Sequence, residues 1–235
     1  MAAPIAYEQP TVNKSWQAFV DHFPTLALVF LVTLALAVVG VLLSYLVAGA
    51  VAAMIHASGG LSSLANGEDL AASGARVFGQ FSRLPIDVLV NFIGVLGMAV
   101  PAMYYQTGEV ITPGVAFGVL FKRPLRYLLA GLLYTVVAVF GFILCVLPGI
   151  AVLLVAPVFV NRIFNTDEQI IDAFFRSFQG VFRSEHGWTF VGIELLVGLC
   201  VIVVTICTCG LGGLVAGPMG TFYVMNSAYR YGVLR

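Results

Sequence analysis

Four long windows of the chain hold no Asp, Glu, Lys or Arg: residues 22–67, 88–108, 127–161 and 195–229. Each can house at least one helix of about 20 apolar residues, the length that crosses a hydrocarbon layer. Within the first, Phe23-Pro24 opens an apolar run over 25–57 that Ser58-Gly59-Gly60 interrupts. As one helix that run is about 50 Å long against about 30 Å of hydrocarbon, so it must tilt, bend near Gly40 or Gly49, or project beyond the bilayer, and projection is expected. The second window predicts a span over 86–105, with Tyr104-Tyr105 suited to a membrane interface. Leu147-Pro148-Gly149 divides the third window into spans over 126–146 and 150–164, Pro-Gly being a strong turn signal. In the fourth, Cys209-Gly210-Leu211-Gly212-Gly213 separates spans over 187–207 and 211–229, its glycines permitting a tight reversal.

Short amphipathic stretches precede the odd-numbered spans. Val12, Trp16, Phe19, Val20 and Phe23 share one helical face, as do Phe117, Leu120, Phe121 and Leu125, and as do Ile170, Ile171, Phe174, Phe175, Phe178, Val181 and Phe182. An aromatic face beside a span suits a helix lying among lipid headgroups. The expected fold is therefore all-α: one polytopic membrane bundle over 1–235, six transmembrane helices in three hairpins, each hairpin preceded by an interfacial helix at 11–23, 113–124 or 167–185. An N-terminal tail over 1–10 and an outer loop over 58–83 complete it. Thr112-Pro113 offers a helix start, Thr166 with Gln169 a capping box, and Asp172 with Arg176 an i, i+4 pair.

Composition agrees with a lipid setting. Hydrophobic residues make up 60% of the 235 and charged residues 9%, against roughly 25% charged in soluble domains. Eleven basic and eleven acidic residues cancel, which removes the basic surface of a nucleic-acid binder. Lys14, Lys122, Arg123, Arg126, Arg162, Arg176, Arg183, Arg230 and Arg235 fall on the side of both termini, and only Arg76 and Arg83 fall opposite. That asymmetry predicts cytoplasmic termini.

The order Ser15-Trp16, Phe19, His22-Phe23, then Gly108-Glu109 and Phe117, then Leu147-Pro148-Gly149-Ile150, then Asp172-Ala173, Ser177 and His186-Gly187-Trp188, ending Pro218 and Ala228-Tyr229-Arg230, resembles a broad group of uncharacterised six-helix bacterial membrane proteins. That group is similar to the membrane domain accompanying some glycerophosphodiester phosphodiesterases. The resemblance covers 13–230 and implies a fold more than an activity, since the phosphodiesterase chemistry belongs to a separate soluble barrel.

Glu194 is a carboxylate well inside an expected span, whereas Asp87 stands at the very edge of another. Intramembrane ionisable groups are functional candidates by default: Glu194 is a proton or cation site, a neutral carboxyl, or a structural group paired with Arg162, Arg126 or a tyrosine hydroxyl. Asn91 and Asn161 are further polar positions that could line a cavity with it. Cys145, Cys207 and Cys209 fall near the outer span ends, where a bridge from Cys145 to either partner competes with simple apolar packing. Gly40, Ser44, Ala48 and Ala52 form a small-residue stripe, as do Gly213 and Gly217, suited to close helix contact. Lys122, Arg123 and Arg126 are the densest basic group and a candidate contact for anionic headgroups. Asp21-His22 and Glu185-His186 occupy matching places and are read as interface anchors. The spans carry no Ser/His, Asp/Asp or His-x-x-x-His arrangement, so no catalytic residue, metal ligand or cofactor is expected. The reading is a non-enzymatic accessory or scaffold subunit, with membrane lipids and other membrane subunits as partners and no nucleic acid. The alternative is a small transporter or lipid-handling permease with a cavity between hairpins.

Overall fold

The computed structural model describes residues 2–58 and 67–234, with side chains at 2–57 and 72–234. The expected outer loop's opening, including Gly59-Gly60 and Asn66, lies outside them. Every regular element among the described residues is helical. A 3-10 turn at Pro4–Tyr7 precedes α1 (Val12–Asp21), α2 (Phe23–Ser58), α3 (Gly67–Gly94), α4 (Leu96–Thr107), α5 (Pro113–Lys122), α6 (Pro124–Leu144), α7 (Val146–Leu153), α8 (Ala156–Asn165), α9 (Ile170–Arg183), α10 (Gly187–Cys207) and α11 (Gly213–Arg230).

Among the described residues five stretches are long and apolar enough to cross a membrane: Phe23–Ala57, Ala72–Thr107, Pro124–Leu144, Val146–Asn165 and Gly187–Cys207. The expected sixth span, α11, is not among them. Its last turns carry Asn226, Ser227 and Arg230, which lower its hydropathy, and Asn226 and Ser227 are buried inside the protein.

Three expected boundaries move, each for a local reason. The second span's helix begins well before residue 86, because the apolar positions Val77, Phe78, Phe81 and Leu84 continue one helical pattern through Pro85, and α3 takes in most of the expected outer loop. The reversal expected at Pro148 falls instead at Cys145, which is extended at φ −173° and ψ 154°. Pro148 sits in the first turn of α7, where a missing N–H costs no intrahelical bond. Gly149 serves close approach: a Cβ on Gly141 would stand 3.1 Å from the Gly149 Cα. Thr166 does not box the start of α9. It ends α8 with its hydroxyl on the Arg162 carbonyl, and Gln169 is the N-cap of α9. The reversal after α10 lies where the glycines place it, with Cys209 at φ 51° and Gly210 at φ 96°.

The chain divides into two compact units. In the unit Val29–Gly94, α2 and α3 pack through small residues. Gly40 lies against Ile86 and Arg83, and a Cβ on Gly79 would stand 2.7 Å from the Ser44 carbonyl oxygen and 3.0 Å from the Ala48 Cβ.

In the unit Met1–Leu28 with Val95–Arg235, α4, α8 and α11 pack on one another, α1 packs on α11, α9 on α8 and α10, α5 on α4, α6 on α7, and α10 on α11. Phe190, Phe222, Leu96, Leu120 and Met225 are its largest fully buried apolar side chains among the described residues. A threefold repetition is visible. Each of α1, α5 and α9 ends in a short joint that leads into a long apolar helix, α2, α6 or α10. Pro101, Pro157 and Pro218 recur in α4, α8 and α11. Ser15 and Ser177 recur in α1 and α9, both buried and both donating to the carbonyl four residues back. The long helices bury little of their surface: 17%, 17% and 11% of the most apolar windows of Phe23–Ala57, Pro124–Leu144 and Gly187–Cys207. Apolar surface left outward on that scale needs lipid or protein to cover it.

Candidate functional site

The buried polar groups of the larger unit gather where its amphipathic helices meet α4, α8 and α11. His22 is fully buried at the α1–α2 joint. Its Nε2 accepts the Ile111 amide at 3.0 Å, so Nδ1 carries the proton that it donates to the Ala18 carbonyl at 2.7 Å. Thr25 donates to the Ile111 carbonyl at 2.7 Å, so both polar groups of one linker residue are held. Tyr104 and Phe222 flank the imidazole, with ring centroids 4.7 and 5.2 Å away. Burial pushes the His22 pKa below its ordinary value, opposed by the Ala18 carbonyl and the Asp21 charge. The expected interface anchor is thus a core group. Its counterpart His186 is exposed at the start of α10, and what separates them is the 108–112 linker lying over His22.

A second cluster joins three helices. The Asn161 amide donates to the Tyr229 hydroxyl at 2.9 Å, and that hydroxyl faces the Gln106 Oε1 at 3.1 Å. Asn165 donates to the Ala102 carbonyl, and Asn226 donates to the Ala6 carbonyl at 2.9 Å. The Ala3 amide donates to the Tyr105 and Gln106 carbonyls, so the expected N-terminal tail is stitched to α4 and α11. Nothing local marks Gln106 or Thr25 in the sequence, Tyr229 enters its reading only among the residues of the resemblance, and a polar residue within an apolar helix is the available signal for Asn226.

Glu194, Asn91 and Asn161 share no hydrogen bond among the described residues. Asn91, in the smaller unit, is exposed and donates to the Asp87 carbonyl of its own helix. Glu194 is half-buried on α10, and its Oε2 has no hydrogen-bond partner. The expected partners are engaged elsewhere: Arg126 donates to the Thr166 carbonyl at 2.8 Å, Arg162 to Glu168, and the Tyr134 hydroxyl to the Val152 carbonyl at 3.2 Å. Val152 adjoins the break between α7 and α8.

Cys145, Cys207 and Cys209 are free and exposed, so the expected bridge is not made in this structure. Of the small-residue stripes, Gly40, Ser44 and Ala48 meet α3, and Gly213 meets Thr205 of α10. Ala52 is exposed, and a Cβ on Gly217 would meet open space. Lys122 and Arg123 are exposed, while Arg126 is half-buried. Arg123 pairs with Asp167, and Glu168 holds Arg162 and Arg176. Arg176 therefore takes Glu168 rather than the expected Asp172.

These features define a class, a protein whose regular elements are all helical among the described residues, with five helical stretches there long and apolar enough to cross a membrane. Comparisons with protein-family models, with curated proteins and with solved structures find no match to this chain.

Proposed function

We propose that this chain is a non-enzymatic integral membrane protein of a bacterial inner membrane, an accessory or scaffold subunit that packs against other membrane components or lipid. In this reading six helices, α11 included, cross in three hairpins, both termini are cytoplasmic, and α1, α5 and α9 lie in the headgroup layer. The observation that carries it is a contrast. Most of the buried amides and hydroxyls seen in the larger unit's core are spent on one another and on the backbone, as in Asn161–Tyr229–Gln106 and Asn226–Ala6, with the Ser184 hydroxyl an exception, while α6 and α10 turn apolar faces outward. Satisfied polar networks rigidify a core, and outward apolar faces on such a core suit a scaffold. The resemblance to membrane domains found beside glycerophosphodiester phosphodiesterases supports the fold and is proposed at that level.

A permease is the second reading, favoured by Glu194. A carboxyl oxygen buried without a hydrogen bond calls for an explanation, and interrupted helices at membrane depth line binding sites in transporters. The test is extraction into lipid nanodiscs followed by native mass spectrometry, with proton-flux assays on proteoliposomes. The scaffold reading expects a membrane protein bound at fixed stoichiometry and no flux. Flux that Glu194→Gln abolishes would replace it with the permease.

A further inference from the structure

The joint between α5 and α6 concentrates positive charge at an unfavourable place. Lys122 ends α5, Arg123 is the joint, and Arg126 lies in the first turn of α6. A helix N-terminus already carries partial positive charge and unpaired N–H groups, so cations there repel it and an anion is favoured. One internal anion answers. Asp167, 81% exposed, pairs with Arg123, whose guanidinium holds the carboxyl below its ordinary pKa. Arg126 donates one of its N–H groups to the Thr166 carbonyl, which fixes the loop carrying Asp167 beside the joint and leaves the other donors for an anion.

Directly after these cations the outer wall of α6 begins. Leu125 is 74% exposed and is followed by Leu129 and Leu132, at offsets of four and seven that keep one helical face. Phe121, near the end of α5 on the other side of the joint, is exposed as well. Cations at the head of an apolar stripe match the shape and polarity of a phospholipid, whose phosphate would sit among the cations and whose chains would follow the leucines.

We propose that Lys122, Arg123 and Arg126 seat the phosphate of an anionic phospholipid whose acyl chains run down the Leu125, Leu129 and Leu132 face of α6, with Asp167 as the internal anion that competes for Arg123. This inference rests on the membrane-embedded reading above.

The test reconstitutes the full chain and measures binding of spin-labelled phosphatidylglycerol and spin-labelled phosphatidylcholine in otherwise phosphatidylcholine vesicles. Wild-type protein retains the anionic probe in preference to the neutral one. Lys122→Gln with Arg123→Gln weakens that preference, by roughly fivefold per cation removed. Asp167→Asn strengthens it, because Arg123 is released, whereas Asp172→Asn, an equal charge change at an exposed position of α9, leaves it near wild type. The Asp167→Asn gain keeps the test decisive if the double variant fails to fold. Protein that incorporates into vesicles yet holds both probes equally overturns the lipid seat while leaving the membrane reading intact. Protein that stays out of vesicles overturns the membrane reading itself. Displacement of the probe by inorganic phosphate at matched concentration would show that phosphate alone is read and would overturn the role of the leucine wall.

Discussion

His22 shows how one side chain can fix a joint. It holds the end of α1 through the Ala18 carbonyl and the 108–112 linker through the Ile111 amide, and only the neutral imidazole can do both. Protonated Nε2 would present a hydrogen to the Ile111 N–H, replacing an acceptor by a donor. Because burial lowers the His22 pKa in the folded state, the unfolded chain binds the proton first as pH falls below about 6.5. Stability contributed by neutral His22 is therefore complete above that pH and declines as pH drops from about 6.5 toward the folded pKa. Thermal unfolding in detergent should show this decline, and His22→Gln should flatten it. An unchanged pH slope in the variant would remove His22 from the account. At sequence level the Asp21-His22 and Glu185-His186 pairs look equivalent. Only a contact 89 positions distant in the chain makes one of them core, and no local pattern carries that information.

At the scale of elements, helical periodicity was legible and the character of the breaks was less so. The three amphipathic helices appear close to their expected places because offsets of three and four depend on the helix alone. Pro148-Gly149 misled because each residue has a second use: Pro fits the first turn of a helix, and Gly fits a close crossing. The crossing of α6 and α7 can be tested directly. Gly141→Ala places a methyl 3.1 Å from backbone atoms of Gly149, which cannot swing aside, whereas a Cβ at Gly131 of the same helix meets nothing within 4 Å. Gly141→Ala should destabilise by about 1–3 kcal/mol, the usual cost of overpacking. Gly131→Ala should be neutral or stabilising by up to about 1 kcal/mol, from helix propensity. Equal melting temperatures for the two variants would contradict this packing. The candidate site was less legible than the helices, since Asn161 was visible from sequence but its partners Gln106 and Tyr229 come from helices far away in the chain.

For the whole molecule, a threefold plan of amphipathic helix, joint and long apolar helix orders the charges. Lys122, Arg123, Arg126 and Arg183 lie at or beside the joints after α5 and α9, while the large exposed side chains of α2, α6 and α10 are aliphatic and aromatic. Short charged segments alternating with long helices nearly free of charge are what a bilayer selects, because charge is tolerated at the headgroups and costly in hydrocarbon. The most direct measurement is side-specific thiol labelling of intact cells, starting from a cysteine-free chain. Asn13→Cys, Glu109→Cys and Arg230→Cys are introduced singly, and native Cys145 or Cys209 is restored in separate variants. The account predicts that positions 13, 109 and 230 react only after the membrane is permeabilised, and that Cys145 and Cys209 react from outside. Labelling of positions 13 and 230 from opposite faces, or of Cys145 from the same face as position 13, would contradict it.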